Sequence, residues 1–147
     1  MFVEQMLPRA RERLATIRAA APVTEAANMM SKPHIELLVV CGPDGVMVGV
    51  LTKTDIVGHI GQCLGAGCSA AVGTIMTPAV ISSRPEEALE HIWTVMKSRD
   101  LQRIPVLDDN NKPVGTIYAR DALQCLLGDV EHDEALLRDY VMNVGYQ

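Results

Sequence analysis

Aromatic residues are scarce in this sequence: one Trp, one Phe and three Tyr among 147 residues. A core built on ring packing is excluded, and burial has to rest on Val, Ile, Leu, Ala and eight Met. The same scarcity argues against a base-stacking surface for single-stranded nucleic acid. Excess positive charge is also missing. The formal net charge is −5 and the pI is near 5.3, which disfavours a protein that grips a phosphate backbone. Small anions need only local positive potential and are not excluded. Long apolar runs are lacking too, since residues 37–41 and 46–51 are strand-sized and far short of a membrane span. The opening MFVEQMLPRARERLA carries charge from Glu4 onward and has no unbroken apolar signal core. A cytoplasmic chain with neither membrane nor nucleic-acid partners is expected. No G-x-S-x-G, P-loop, H-E-x-x-H or Rossmann glycine signature occurs, so no enzymatic activity is expected.

What is present is a repeat. A shift of 66 residues aligns Arg18 with Arg84, Met30 with Met96, Val40 with Val106, Val48 with Val114, Gly49 with Gly115 and Asp55 with Asp121. Those six identities compare with roughly three expected by chance at average composition. The order of elements decides the matter. Val23, Ala26, Ala27 and Met30 form one helix face, as do Leu89, Ile92, Trp93 and Met96. Ser83-Arg84-Pro85-Glu86 has the form of a capping box for the second of these helices. Strands are expected at residues 35–41 and 101–107, each ending in turn chemistry: Gly42-Pro43-Asp44-Gly45, and Asp108-Asp109-Asn110-Asn111. Return strands at 46–51 and 114–118 complete two hairpins. Further helices start near Lys53 and Ala119, with apolar positions Ile56, Val57 and Ile60, then Ala122, Leu123, Leu126 and Leu127. Short lead-in strands are expected at 15–17 and 80–82.

The fold class expected is α+β: two β-α-β-β-α repeats packed with pseudo-twofold symmetry, plus a C-terminal helical tail. A unit of about 55 residues is marginal alone, and two packed face to face can share a core. The organisation reads as an N-terminal helical segment (1–13), a first repeat (14–62), a Gly/Ala-rich connector (63–73), a second repeat (74–128) and the tail (129–147). The tail presents Val130, Leu137, Tyr140, Val141 and Val144 on one helix face.

This layout resembles the tandem cystathionine-β-synthase-type domain pair, or Bateman module, over about residues 10–127. The resemblance is carried by GVLTKTD (49–55) and GTIYARD (115–121), each following a hairpin strand and opening a helix. It is supported by Arg103-Ile104-Pro105-Val106 and by VGTIMT at 72–77. Residues 136–147 (LLRDYVMNVGYQ) are similar to the tails of small stand-alone bacterial members. Such pairs bind adenosyl compounds: AMP, ADP, ATP, and in some cases NAD or S-adenosylmethionine. The resemblance therefore implies a regulatory ligand and no required cofactor. By the family pattern Thr52 bonds a phosphate and Asp55 accepts the two ribose hydroxyls, with Lys53 or Thr54 adding charge or a donor. A carboxylate suits a vicinal diol and a helix start suits an anion. Met76, Thr77, Pro78, Leu101 and Gln102 complete the nucleotide site, and Arg103 holds a position that often reaches phosphate.

A second, weaker pocket is implied at Ile35, Tyr118, Arg120 and Asp121. There Tyr118 replaces Ser/Thr, Leu37 stands where Arg103 stands in the other repeat, and Glu36 would repel a phosphate. The resemblance further implies a homodimer through outer helix faces (Ile56, Ile60, Leu123, Leu127), with Val3, Met6 and Leu7 contributing. With no effector domain in the sequence, the output is expected to act on a separate effector protein.

Other readings stay open. Thr52-x-x-Asp55 is also a plain capping box. The whole module also reads as a structural or protein-interaction unit with degenerate pockets, for which Tyr118 is the best support. Cys41 and Cys125 read as small buried hydrophobes rather than disulfide partners. His59, Cys63 and Cys68 form H-x3-C-x4-C, but no fourth ligand is evident. No metal site is assigned, and a metal or thiol switch remains the alternative there.

Overall fold

The computed structural model of the chain describes residues 1–62, 69–78 and 80–128. In chain order it contains α1 (Leu7–Arg13), β1 (Thr16–Arg18), α2 (Val23–Met30), β2 (Leu38–Cys41), β3 (Met47–Leu51), α3 (Lys53–Gln62), α4 (Leu89–Ser98), β4 (Arg103–Leu107), β5 (Pro113–Tyr118) and α5 (119–128). Single 3-10 turns precede α1 at Val3–Met6 and open the second repeat at Val72–Thr74. The architecture is α+β, with two repeats of the same order. The C-terminal tail and residues 63–68 of the connector lie outside the described residues.

The first repeat holds a three-stranded sheet, with β1 parallel to β2 and β2 antiparallel to β3. The second holds the β4–β5 hairpin, in register Arg103↔Tyr118, Ile104↔Ile117 and Pro105↔Thr116. Its lead-in strand, expected at 80–82, is instead a single parallel bridge between Ser83 and Val106. This pairing also overturns the capping box at Ser83. The Ser83 N–H donates to Pro105 O at 2.9 Å and its carbonyl accepts from Leu107 N–H, so Ser83 is committed to the sheet. Its hydroxyl is buried with no protein partner, and α4 begins only at Leu89. Both hairpin turns need a left-handed residue at matched positions: Gly45 has φ +83° and Asn111 has φ +62°.

Strand alternation sorts each hairpin into two faces. Leu38, Val40 and Leu51 pack under α2 and α3 with Ile17, Val23, Ala26, Met30 and Ile56. Ile104, Val106 and Ile117 pack under α4 and α5 with Leu89, Ile92, Met96 and Ala122. The alternate residues Leu37, Val39 and Val50 face away from the first core, and Tyr118 faces away from the second; all four are buried.

The two cores are interlocked by exchange. Val3, Met6, Leu7 and Ala10 belong to the second core, whereas Val72 belongs to the first. Val3, Met6 and Leu7 were expected at a dimer surface; they are buried within the chain because their 3-10 turn and helix dock on β5 and α4. Ile56, expected on the same outer face, is buried in the first core. Ile60, Leu123 and Leu127 are exposed, and so is Val57.

The exchange relies on two glycines 66 positions apart. A β-carbon at Gly49 would lie 2.7 Å from Met76 Sδ and 2.7 Å from Thr77 O, and one at Gly115 would lie 2.8 Å from the Ala10 methyl. Ala at either place must push backbone aside. Gly49→Ala and Gly115→Ala are each expected to lose about 1–3 kcal/mol of stability. Gly58→Ala in α3, where an added methyl meets nothing within 4 Å, is expected to gain about 0.5–1 kcal/mol. Thermal denaturation of the three variants gives the order directly.

Candidate functional site

The exchanged segments bring the two hairpins together at a cleft of about 330 Å³. Its first-repeat wall is Leu37, Val50 and Thr52, and its second-repeat wall is Thr77, Val80, Ile81, Asp100, Leu101, Gln102, Arg103 and Pro105. The lining is aliphatic with a few polar side chains, the usual make-up of a small-molecule pocket. Two local devices set the wall. Thr77 is fixed on β3 by a reciprocal pair of backbone hydrogen bonds with Val50, at 3.0 and 2.9 Å. Helix α4 stops in a Schellman motif, with Leu101 N–H donating to Met96 O at 2.9 Å and Asp100 in the left-handed region at φ +53°. That stop turns residues 100–103 into the cleft.

Thr52 lines this cleft and caps α3. The Asp55 carboxylate accepts from the Thr52 N–H at 2.9 Å and from its hydroxyl at 3.0 Å, while the Asp55 N–H donates back to Thr52 Oγ1 at 3.3 Å. The reciprocal capping box is therefore formed. Asp55 and Thr54 line a neighbouring cavity of about 350 Å³ with Gly58, His59, Gln62, Thr74 and Ile75. Of the residues expected at the nucleotide site, Thr52, Thr77, Leu101, Gln102 and Arg103 share the open cleft. Asp55 and Thr54 stand one turn away. Met76 packs on Gly49 and the first core, and neither it nor Lys53 or Pro78 is in the wall of either cavity.

The corresponding position in the second repeat is filled by the chain itself. Tyr118 is 1% exposed. Its hydroxyl accepts from the Glu36 N–H at 3.2 Å and donates to His34 O at 3.5 Å. Three guanidinium groups surround its ring: Arg13 at 4.7 Å, Arg120 at 5.1 Å and Arg103 at 5.8 Å from the centroid. Asp121 is buried and held in a two-point ion pair by Arg13, Nε to Oδ2 at 2.8 Å and Nη2 to Oδ1 at 3.0 Å. That hydrogen bonding raises the already high pKa of Arg13. Glu36 accepts from Arg103 at 3.0 and 2.8 Å, and from Arg120 at 3.4 and 3.3 Å. Partial burial works against the Glu36 charge, but the bonds from Arg103 and Arg120 prevail and hold its carboxyl below the usual carboxylate range.

Arg13 is the member of this cluster that sequence reasoning missed, because 108 residues separate it from Asp121. Its register partner under the 66-residue shift is Ala79, so the sequence supplies no guanidinium at that position for the first repeat. The aliphatic wall residues Val50 and Pro105 were legible as strand positions but not as ligand-facing ones.

Of the motif His59, Cys63 and Cys68, the two cysteines lie outside the described residues, and His59 lines the cavity shared with Asp55. Among the described residues no three His, Cys, Asp or Glu side chains are grouped to hold a metal ion. Nor is any helix among them long and apolar enough to cross a membrane. Burial raises the thiol pKa of both Cys41 and Cys125, in keeping with a packing role.

Arg13→Ala leaves the Asp121 carboxylate buried without its partner and is expected to cost about 3 kcal/mol in chemical denaturation. The Arg13→Ala/Asp121→Ala double variant should cost less than the sum of the single changes. Because the Glu36 carboxyl sits lower in the folded chain than in the unfolded one, its contribution is complete above the ordinary value of 4.5 and is lost as pH falls through the folded value. Melting temperature should therefore drop more steeply below about pH 4.5 in the wild type than in Glu36→Gln.

Comparison with known proteins agrees with this geometry. The family model described as "CBS domain" matches twice, at residues 3–62 and 72–128. Homoserine O-acetyltransferase of Methanohalobium evestigatum is 32% identical over 110 residues, which is 75% of this chain and 22% of that protein. The chain spans about a fifth of the length of the first curated relatives it matches. A CBS domain pair solved in complex with 5′-methylthioadenosine and S-adenosyl-L-methionine shares the fold with a TM-score of 0.71 at 24% identity, covering 88% of this chain and 97% of that one. A CBS protein solved in complex with AMP superposes with a TM-score of 0.68 at 20% identity, covering 80% of this chain and 90% of that one. CBS domain pairs are in general regulatory modules rather than catalytic ones. The two matched repeats, their interlocked cores and the cleft between them make this chain a member of the CBS domain family, carrying a tandem pair.

Proposed function

We propose that the chain is a non-catalytic sensor that takes an adenosyl compound in the open cleft. One observation carries this reading: the cleft wall is drawn from both repeats, with Leu37, Val50 and Thr52 on one side and Leu101, Gln102 and Arg103 on the other. A ligand seated there touches both halves and can shift their relative placement. The shift is bounded by the ligand's difference in affinity for the two arrangements. The aliphatic wall suits the faces of a purine, and the polar groups of Thr52, Thr77 and Gln102 suit its edge and a ribose. The ligands bound by the AMP and S-adenosylmethionine neighbours support the adenosyl class. In this reading Asp55 exchanges its bonds to Thr52 for the ribose hydroxyls when ligand enters. The exposed Val57, Ile60, Leu123 and Leu127 form the face of a homodimer, and the signal passes to an effector protein.

A second reading has a specific observation behind it. The self-filled position around Tyr118 and Asp121 is what a structural or protein-interaction module would build. Ligand binding separates the two. In a thermal-shift panel of AMP, ADP, ATP, NAD and S-adenosylmethionine, a compound at one hundred times its Kd is expected to add about 2.7 kcal/mol. Asp55→Ala should abolish that gain, while costing the free protein only about 1 kcal/mol as a lost cap. A shift unchanged in Asp55→Ala would remove Asp55 from the site, and no shift with any compound would favour the interaction module.

A further inference from the structure

The open cleft has only two charged side chains in its wall among the described residues, Asp100 and Arg103. Arg103 is the group that would meet a phosphate, and it is already engaged. Its Nε and Nη2 both donate to Glu36 Oε2, at 3.0 and 2.8 Å. The pair is sheltered, with the Arg103 side chain 29% exposed and the Glu36 side chain 23% exposed. Arg120 clamps the same carboxylate from the solvent side, and Tyr118 fixes its backbone through the Glu36 N–H. Glu36 is thus ionised at neutral pH and held through Arg103, Arg120 and Tyr118. Asp100, Arg103, Glu36 and Arg120 together carry no net formal charge, and Lys53 is not in the wall to add a positive one.

An adenosine phosphate entering this cleft would meet Arg103 only by breaking or sharing a two-point charge-assisted bond, and would then stand beside the Glu36 carboxylate. A phosphate has to compete with Glu36 for the Nε and Nη2 donors of Arg103, which are already in use. A neutral thioether at the ribose 5′ position loses nothing, and a cationic sulfonium is attracted by Asp100.

We propose that Glu36 sets the ligand class of the open cleft: by holding Arg103 it disfavours adenosine phosphates and selects adenosyl compounds whose 5′ substituent is uncharged or cationic. This rests on the reading of the cleft as an adenosyl site and narrows it. The selection is local to this one of the two sites, because it needs an acid at position 36 facing an arginine at position 103, and the 66-residue shift places Leu37 where the other repeat has Arg103.

Isothermal titration calorimetry with 5′-methylthioadenosine, S-adenosylmethionine, AMP and ATP tests it. In the wild type the two sulfur compounds should bind at least ten-fold tighter than AMP and ATP. In Glu36→Gln, which keeps shape and loses charge, the ratio should move toward AMP by ten-fold or more. That movement should vanish in Glu36→Gln/Arg103→Ala, where the released guanidinium is gone. AMP or ATP binding most tightly to the wild type overturns the inference while leaving the adenosyl reading intact, and this ranking stands even if no variant folds. A ratio unmoved by Glu36→Gln also overturns it. If none of the four compounds binds the wild type, the adenosyl reading itself fails and the inference falls with it.

Discussion

Two missing β-carbons hold this molecule together. At Gly49 and Gly115 a hairpin strand is approached so closely by the segment leading into the other repeat that no side chain fits between them. Met76 and Thr77 use the first opening, and Ala10 uses the second. Everything downstream depends on that approach. It puts Val72 into the first core and Val3, Met6, Leu7 and Ala10 into the second, so neither repeat has a complete core without a piece of its sister. For units this small the exchange supplies burial that each would lack alone. It also sets Thr77 beside Val50, which forms one wall of the open cleft.

One scaffold then yields two unlike sites. At the first, the residue ending the hairpin is Thr52, a small hydroxyl that caps α3 and leaves space beside it. At the second it is Tyr118, whose ring fills the position and whose hydroxyl bonds back to the first repeat. A buried carboxylate cannot remain there unpaired, and Arg13 answers Asp121. The ring gathers two more guanidiniums, and both donate to Glu36. The charge network that closes the second position therefore extends into the first, because Arg103 belongs to both. Its strand neighbour across β4–β5 is Tyr118, and its other side faces the cleft.

Much of this was legible in the residues. The helix faces at Val23/Ala26/Met30 and Leu89/Ile92/Met96 are period signals, and short helices under a hairpin leave little freedom in how such a stripe is buried. The turn at Gly45 and its counterpart at Asn111 follow from residues that tolerate positive φ. Thr52, Thr77, Leu101, Gln102 and Arg103 were assigned to one site, and the structure brings them to one cleft. Where reading failed, a tertiary contact outbid a local one. Ser83 has the sequence of a cap, but sheet pairing with Val106 took it first. Val3, Met6 and Leu7 look like a sticky surface only until the second core closes over them.

The sequence by itself determined the repeat, the element order, the hairpins and the positions that line up between the halves, because periodicity, turn chemistry and glycine placement act over a few residues. It did not determine which core each lead-in segment joins, nor that Arg13 reaches Asp121 and Glu36 reaches Arg103 across separations of 108 and 67 residues. Those pairings are chosen by charge and volume once the two halves meet. A guanidinium finds the buried carboxylate that would otherwise be left without compensation, and no local pattern records which one that will be.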